Sequence, residues 1–86
     1  MAVVKVRLFA ALRELADASE VEAEGSTVAE IIDVLSARFG ERFSAIAGVG
    51  SVVVDGERAS PATVLEGGEE VAVLPPVSGG ALRDPA

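Results

Sequence analysis

The amino-acid sequence predicts an α+β fold, a mixed sheet packed on one main helix. Three observations point to it: period-two alternation toward both ends of the chain, one amphipathic helix between them, and runs of strands outside that helix. The 86 residues form one domain, near the lower end of what folds on a single hydrophobic core.

The first strand is Val3 to Phe9, with Val4, Val6 and Leu8 on one face and Val3, Lys5, Arg7 and Phe9 on the other. That alternation gives one buried side and one mixed side. Ala10 to Asp17 consists of good helix formers and predicts a short helix. Glu20-Val21-Glu22-Ala23-Glu24 alternates acid with apolar residues and predicts a half-exposed strand ending at Gly25.

The main helix follows. Thr27-Val28-Ala29-Glu30 is a capping box, in which the Thr hydroxyl and the Glu carboxylate satisfy two orphan amides of the helix. Val28, Ile31, Ile32, Leu35 and Phe39 recur at helical spacing, and Gly40 supplies the stop. This apolar stripe reads as core rather than as a partner groove. Glu41 to Gly50 is less regular and predicts a short helical turn around Phe43, Ile46 and Ala47, flanked by the flexible Gly48 and Gly50.

Val52-Val53-Val54 predicts a buried strand, and Asp55-Gly56 a hairpin turn with a short return arm, Glu57-Arg58-Ala59. Pro61 fits an edge strand or its end. Glu66-Gly67-Gly68-Glu69 is a turn, and Glu70 to Leu74 is the last strand, cut off by Pro75-Pro76. Residues 1–76 are thus the expected domain, 77–80 a mobile Gly-Gly tail and 81–86 a C-terminal extension. The order of elements suits the β-grasp architecture.

Composition excludes several classes of function. Half the residues are apolar, and there is no Cys, His, Trp or Tyr. A disulfide framework, a thiolate nucleophile and a cysteine metal site are therefore ruled out. Ser19, Ser26, Ser36, Ser44, Ser51, Ser60 and Ser78 have no His to activate them. Asp17, Glu20, Glu22 and Glu24, like Glu66, Glu69 and Glu70, read as a solvated face rather than paired catalytic acids. No phosphate-loop pattern occurs. An enzyme acting through its own side chains is not expected, nor a bound cofactor or metal.

Seven basic against fourteen acidic residues give a net charge of −7. Such a chain repels phosphate backbones, so nucleic acid is not an expected ligand. A basic protein partner is favoured, with solubility alone as the plainer reading. Met1 to Arg7 places basic residues inside an apolar run rather than ahead of it, and does not read as a signal peptide. No apolar stretch reaches the length of a membrane span. The expected location is the cytoplasm.

The informative segment is Val73-Leu74-Pro75-Pro76-Val77-Ser78-Gly79-Gly80. A Gly-Gly pair often means only flexibility, and Gly67-Gly68 shows the pair used in a turn. Here it follows a strand stopped by two prolines, so the chain leaves the domain stiffly and ends thin. From Pro75 to Gly80 an extended chain spans roughly 20 Å. Two residues without side chains could thread a narrow channel and present a backbone carboxyl inside another protein.

With these residues in view, the sequence resembles the MoaD/ThiS group of ubiquitin-like sulfur carriers, which includes the small subunit of molybdopterin synthase. Phe9-Ala10-Ala11-Leu12-Arg13-Glu14 looks like the family's Phe-Ala-x-Leu/Val-Arg-Glu signature. The β-grasp order is the second part of the match. Gly67-Gly68-Glu69-Glu70-Val71-Ala72 leading into Leu74 to Gly80 is the third, and together they cover residues 3–80. The helical Leu-Arg-Glu segment favours the molybdopterin branch over the shorter thiamin-pathway carriers.

The resemblance implies a mechanism. A ubiquitin-activating-type adenylating enzyme (MoeB/ThiF-like) would use ATP to convert the Gly80 carboxylate to an acyl-adenylate. Sulfur transfer would then give a thiocarboxylate. In the molybdopterin branch the large synthase subunit (MoaE-like) would receive the tail, and two rounds would build the dithiolene of the pterin. Carried over, Gly80 bears the chemistry, and Gly79, Ser78 and Val77 give access. Phe9, Arg13, Leu74, Pro75 and Pro76 would lie on the sheet surface that meets both partners.

The chain departs from the family in one respect: Ala81-Leu82-Arg83-Asp84-Pro85-Ala86 follows Gly80. Trimming by a processing protease is the favoured reading, over an artefact of preparation or a lost carrier role. Two rivals stand beside the molybdopterin reading. One is a carrier for cysteine synthesis, tRNA thiolation or a secondary metabolite, which the extension fits somewhat better. The other is a β-grasp binding module that never forms an acyl-adenylate.

Overall fold

A computed structural model describes residues 2–76. The elements in order are β1 (Ala2–Leu8), α1 (Ala10–Ala16), β2 (Glu20–Gly25), α2 (Val28–Phe39), α3 (Glu41–Val49), β3 (Ser51–Val54), β4 (Glu57–Arg58) and β5 (Glu70–Leu74). The strands form one sheet in the order β2-β1-β5-β3-β4. The central pair β1–β5 is parallel and every other pair is antiparallel. Parallel neighbours need a crossover, and everything between β1 and β5 supplies it. This is the mixed sheet of a ubiquitin-like β-grasp.

Alternation sorts each strand. Val4, Val6 and Leu8 of β1 and Val71 and Val73 of β5 are buried beneath the helices, together with Leu12, Ile31, Leu35 and Phe43. Val3, Lys5 and Arg7 point away from the helices, on the outer face of the sheet. Phe9 is not part of β1. It is the N-cap of α1, and Ala10 behind it takes φ 51°, the left-handed region, so strand turns into helix with no intervening loop. Asp17, also left-handed at φ 57°, closes α1 by donating its amide to Glu14.

The start of α2 differs in detail from the expected box. The Thr27 hydroxyl accepts from the Glu30 amide at 3.2 Å, as the sequence predicts. The Glu30 carboxylate, however, accepts from Ser26, outside the helix, at 2.6 Å. The Val28 and Ala29 amides donate instead to the carbonyls of Thr63 and Pro61 at 3.1 and 3.0 Å. A segment distant in sequence thus takes up the orphan donors.

Glu41 to Val49 is a nine-residue helix rather than a short turn. Phe43 and Ala47, one helical turn apart, are buried, and the Phe39 and Phe43 rings meet at 5.4 Å. This packing overrides the low helix propensity of Gly48. β3 is half-buried throughout instead of buried. It runs between β5 and the two-residue β4, which covers little of it. The hairpin turn is as expected, with Asp55 at φ 50° and Gly56 at φ 85°, the type I′ pattern.

The turn before β5 is braced by Glu69, whose carboxylate accepts from the amides of Glu66 and Gly67, each at 2.7 Å. Those bonds, Glu66 first, hold its carboxyl below the usual carboxylate range.

Two outcomes follow for stability. Leu35 is fully buried on α2, and Leu35→Ala should cost about 2–5 kcal/mol in a denaturant melt. A loss within experimental error would show that the helix does not sit on the core. The lowered value at Glu69 means that its contribution is present above the ordinary glutamate range and lost as pH falls through the folded-state value. Glu69→Gln should therefore flatten the acid limb of stability against pH, and an unchanged limb would show that the brace is absent in solution.

Candidate functional site

The outer face can be laid out from the strand registers. Residues directly opposite share a face, so Val3, Lys5 and Arg7 of β1 stand beside Glu24, Glu22 and Glu20 of β2. On the other flank Lys5 and Arg7 stand beside Glu70 and Ala72 of β5. Ala72 in turn neighbours Val53, and Leu74 neighbours Ser51. Arg58 lies across from Val53 on β4, its guanidinium 3.4 Å from the Ser51 hydroxyl. The face divides in two: alternating charge over β2 and β1, then small and apolar side chains over β5 and β3 with Arg58 at the rim.

An ion pair marks the divide. Arg7 Nη1 lies 3.2 Å from Glu70 Oε2, with both side chains more than half exposed, at 55% and 58%. Water screens such a pair, and its net worth is about 0–1 kcal/mol. It orders the face rather than holding the sheet together.

The expected partner-binding residues gather at one end of the domain. Leu8 is in register with Val73, so Phe9, the extended residue just past β1, and Leu74, the last residue of β5, come one step further at the same end. Phe9 shares the face of Arg7, and Leu74 that of Ala72. Phe9 is 40% exposed, a large apolar ring in contact with solvent. Arg13 is exposed on α1 rather than on the sheet, one turn after Phe9, and its amide donates to the Phe9 carbonyl at 3.4 Å. Leu74 and Pro75 are half-buried and Pro76 is exposed. The tail residues Val77, Ser78, Gly79 and Gly80 lie outside the described residues.

Sequence reading missed Ala72, Val53 and Arg58 as members of this face. Period two gave each strand's faces, but only the β5–β3–β4 register brings these residues beside Leu74. Among the described residues, no group of three or more His, Cys, Asp or Glu is placed to hold a metal ion. No described helix is long and apolar enough to cross a membrane. A crevice of about 400 Å³ lies behind the sheet edge, between α2, α3 and β3, with Ile32, Val52, Asp33 and Arg58 in its walls. The arrangement sets an exposed aromatic ring and a patch of small and apolar side chains beside the end of β5, with no cluster of reactive side chains among the described residues.

Residues 6–80 match the ThiS family. No curated protein matches the sequence. Among solved structures, the small archaeal modifier protein 1 of Methanosarcina acetivorans is 30% identical with a TM-score of 0.82, over 93% of this chain and 98% of that one. A Pyrococcus furiosus protein described as molybdopterin converting factor subunit 1 is 33% identical with a TM-score of 0.76, over 90% of this chain and 100% of that one. A chain of the BexX/CysO complex of Amycolatopsis orientalis is 27% identical with a TM-score of 0.75, over 90% of this chain and 99% of that one.

The exposure of the Arg7–Glu70 pair leads to a direct test. Arg7→Ala should lower stability by less than about 1 kcal/mol in a denaturant melt. A loss of several would mean that the pair braces the central strands and that the outer face is structural.

Proposed function

The chain belongs to the ThiS family, and on that premise we propose that it is a sulfur carrier whose reactive group is the carboxyl of Gly80, exposed once residues 81–86 are removed. The observation that carries this reading is where the family match stops. It runs to residue 80 and leaves the six residues that follow outside it. The fold agrees, being the ubiquitin-like fold of the ThiS and MoaD sulfur carriers.

The chemistry needs no side chain from this protein. In a partner adenylating enzyme, a Gly80 carboxylate oxygen attacks the α-phosphorus of ATP and pyrophosphate leaves. Hydrosulfide attacks the carbonyl carbon of the resulting acyl-adenylate, the carbon–oxygen bond to AMP breaks, AMP departs and the sulfur's proton passes to water. A thiocarboxylate remains, whose sulfur is nucleophilic, and the carboxylate left after transfer can be activated again. Glycine suits the end of the tail because it adds no side-chain bulk at the reacting carbonyl. ATP is spent by the partner and is not held by the carrier.

Two acceptors are compatible with this chemistry. Similarity to the Pyrococcus furiosus protein supports the small-subunit role in molybdopterin synthase, with a large subunit receiving the tail. The segment after Gly80, together with the likeness to a chain of the BexX/CysO complex, favours a carrier for a different acceptor. The extension contains Arg83 and Asp84, so trimming leaves the net charge at −7 and the preference for a basic partner intact.

Comparing residues 1–86 with residues 1–80 in ATP–pyrophosphate exchange with the cognate adenylating enzyme tests the reading. Exchange is expected from the shorter chain alone, because in the longer one the free carboxylate belongs to Ala86 and Leu82 and Arg83 obstruct a channel shaped for glycine. Equal exchange by both would make the extension irrelevant. No exchange by either would leave a binding module.

A further inference from the structure

Gly50 alone joins α3 to β3: Val49 ends the helix and Ser51 begins the strand. Its backbone is extended, at φ −91° and ψ −155°. Any residue adopts that conformation, so backbone freedom does not explain a glycine here. Space does. A Cβ on Gly50 would fall onto the carbonyl oxygen of Leu74, closer than real atoms approach. It would also lie 3.1 Å from the Leu74 carbonyl carbon and 3.2 Å from Pro75 Cα. All three are backbone atoms and cannot swing aside. Gly48, two residues earlier, would meet nothing within 4 Å.

Leu74 and Pro75 are the root of the C-terminal segment. On one flank, β5 is held by β1 as far as the Leu8–Val73 pair. On the other flank, Ser51 pairs with Leu74 itself. Beyond that point Pro75 and Pro76 have fixed φ, and each restricts the residue before it. A rotation at Leu74 is therefore passed through Pro76 with little damping. The direction in which the chain leaves the sheet is set by the Leu74 peptide, and that peptide occupies the space a side chain at position 50 would need.

We propose that Gly50 is a positioning residue for the root of the carrier tail: the room it leaves for the Leu74 carbonyl sets the course of the Leu74–Pro75 backbone, the point from which a docked adenylating enzyme takes up the chain. The proposal rests on the sulfur-carrier reading. Of the residues expected to meet the partner, a substitution at Gly50 leaves Phe9 and Arg13 untouched and presses only on the Leu74–Pro75 backbone. A displaced root therefore leaves Phe9 and Arg13 free to dock while the carboxylate arrives off its attack position, where a displacement of about 1 Å can cost on the order of 100-fold in rate.

The test uses residues 1–80 in ATP–pyrophosphate exchange, comparing wild type with Gly48→Ala, Gly50→Ala and Leu35→Ala at a temperature where circular dichroism shows each folded. Gly50→Ala should lower kcat at least about tenfold while KM for the carrier stays within about threefold. Gly48→Ala should match wild type. Leu35→Ala is destabilised at a site remote from the tail root, and should keep its kcat once corrected for the folded fraction. A wild-type kcat in Gly50→Ala, or a loss that Leu35→Ala reproduces at equal folded fraction, overturns the proposal. Should Gly50→Ala not fold, Pro75→Gly loosens the same root from the other side. Lost kcat at an unchanged Tm and an unchanged KM for the carrier is then expected, and retained kcat, or a loss that lies in KM, overturns the proposal. An inactive wild-type 1–80 chain refutes the carrier reading instead, and the positioning role falls with it.

Discussion

The first and last strands lie side by side at the centre of the sheet, and most of what the molecule presents depends on that pairing. Val6 sits opposite Val71 and Leu8 opposite Val73, all four buried. Joining strands so far apart in sequence carries a loop-closure cost, which the core they form with Leu12, Ile31, Leu35 and Phe43 offsets. Because the pair is parallel, both strands finish at the same end. There Phe9 turns into α1 and Leu74 runs into Pro75. One hydrophobic pairing therefore brings Phe9, Leu74 and Pro75 to the same end of the sheet.

Electrostatics acts on top of this frame without supporting it. The outer face opposes Glu20, Glu22 and Glu24 to Arg7, Lys5 and Val3 across the β1–β2 pair, and exposed cross-strand charges each contribute only fractions of a kcal/mol. What such a pattern controls is approach and orientation. The charged half lies over β2 and β1, while the apolar half lies beside the exit.

Local conformation is strained or crowded at the end of the sheet where β1 and β5 finish. Ala10 in the left-handed region costs about 1 kcal/mol or somewhat more, and the turn it makes brings Leu12 to full burial, worth about 2 kcal/mol. Gly50 shows the complementary constraint, an ordinary backbone with no room for a side chain. Both positions lie where the chain changes from one element to another near the end of β5, and neither bears a reactive group.

The sequence by itself determined the elements whose signals are local. Period two sorted β1 and β2 into faces, Thr27 and Gly40 bounded α2, Asp55-Gly56 turned the hairpin, and Pro75 ended β5. It also pointed to the tail, since two glycines after two prolines are legible without neighbours. The tertiary structure decided whatever depended on contacts between distant segments. It extended α3 to nine residues because Phe43 and Ala47 found a core to face, and it left β3 half-buried because only β4 lies beyond it. The helix amides Val28 and Ala29 were taken by Thr63 and Pro61, and the Glu30 carboxylate moved to Ser26. Ala72, Val53 and Arg58 joined the outer face only through register, and Gly50 lost the room for a side chain only when Leu74 was laid against it. Local propensity is carried by the few residues around a position, whereas register and close approach are properties of pairs that the chain brings together only by folding.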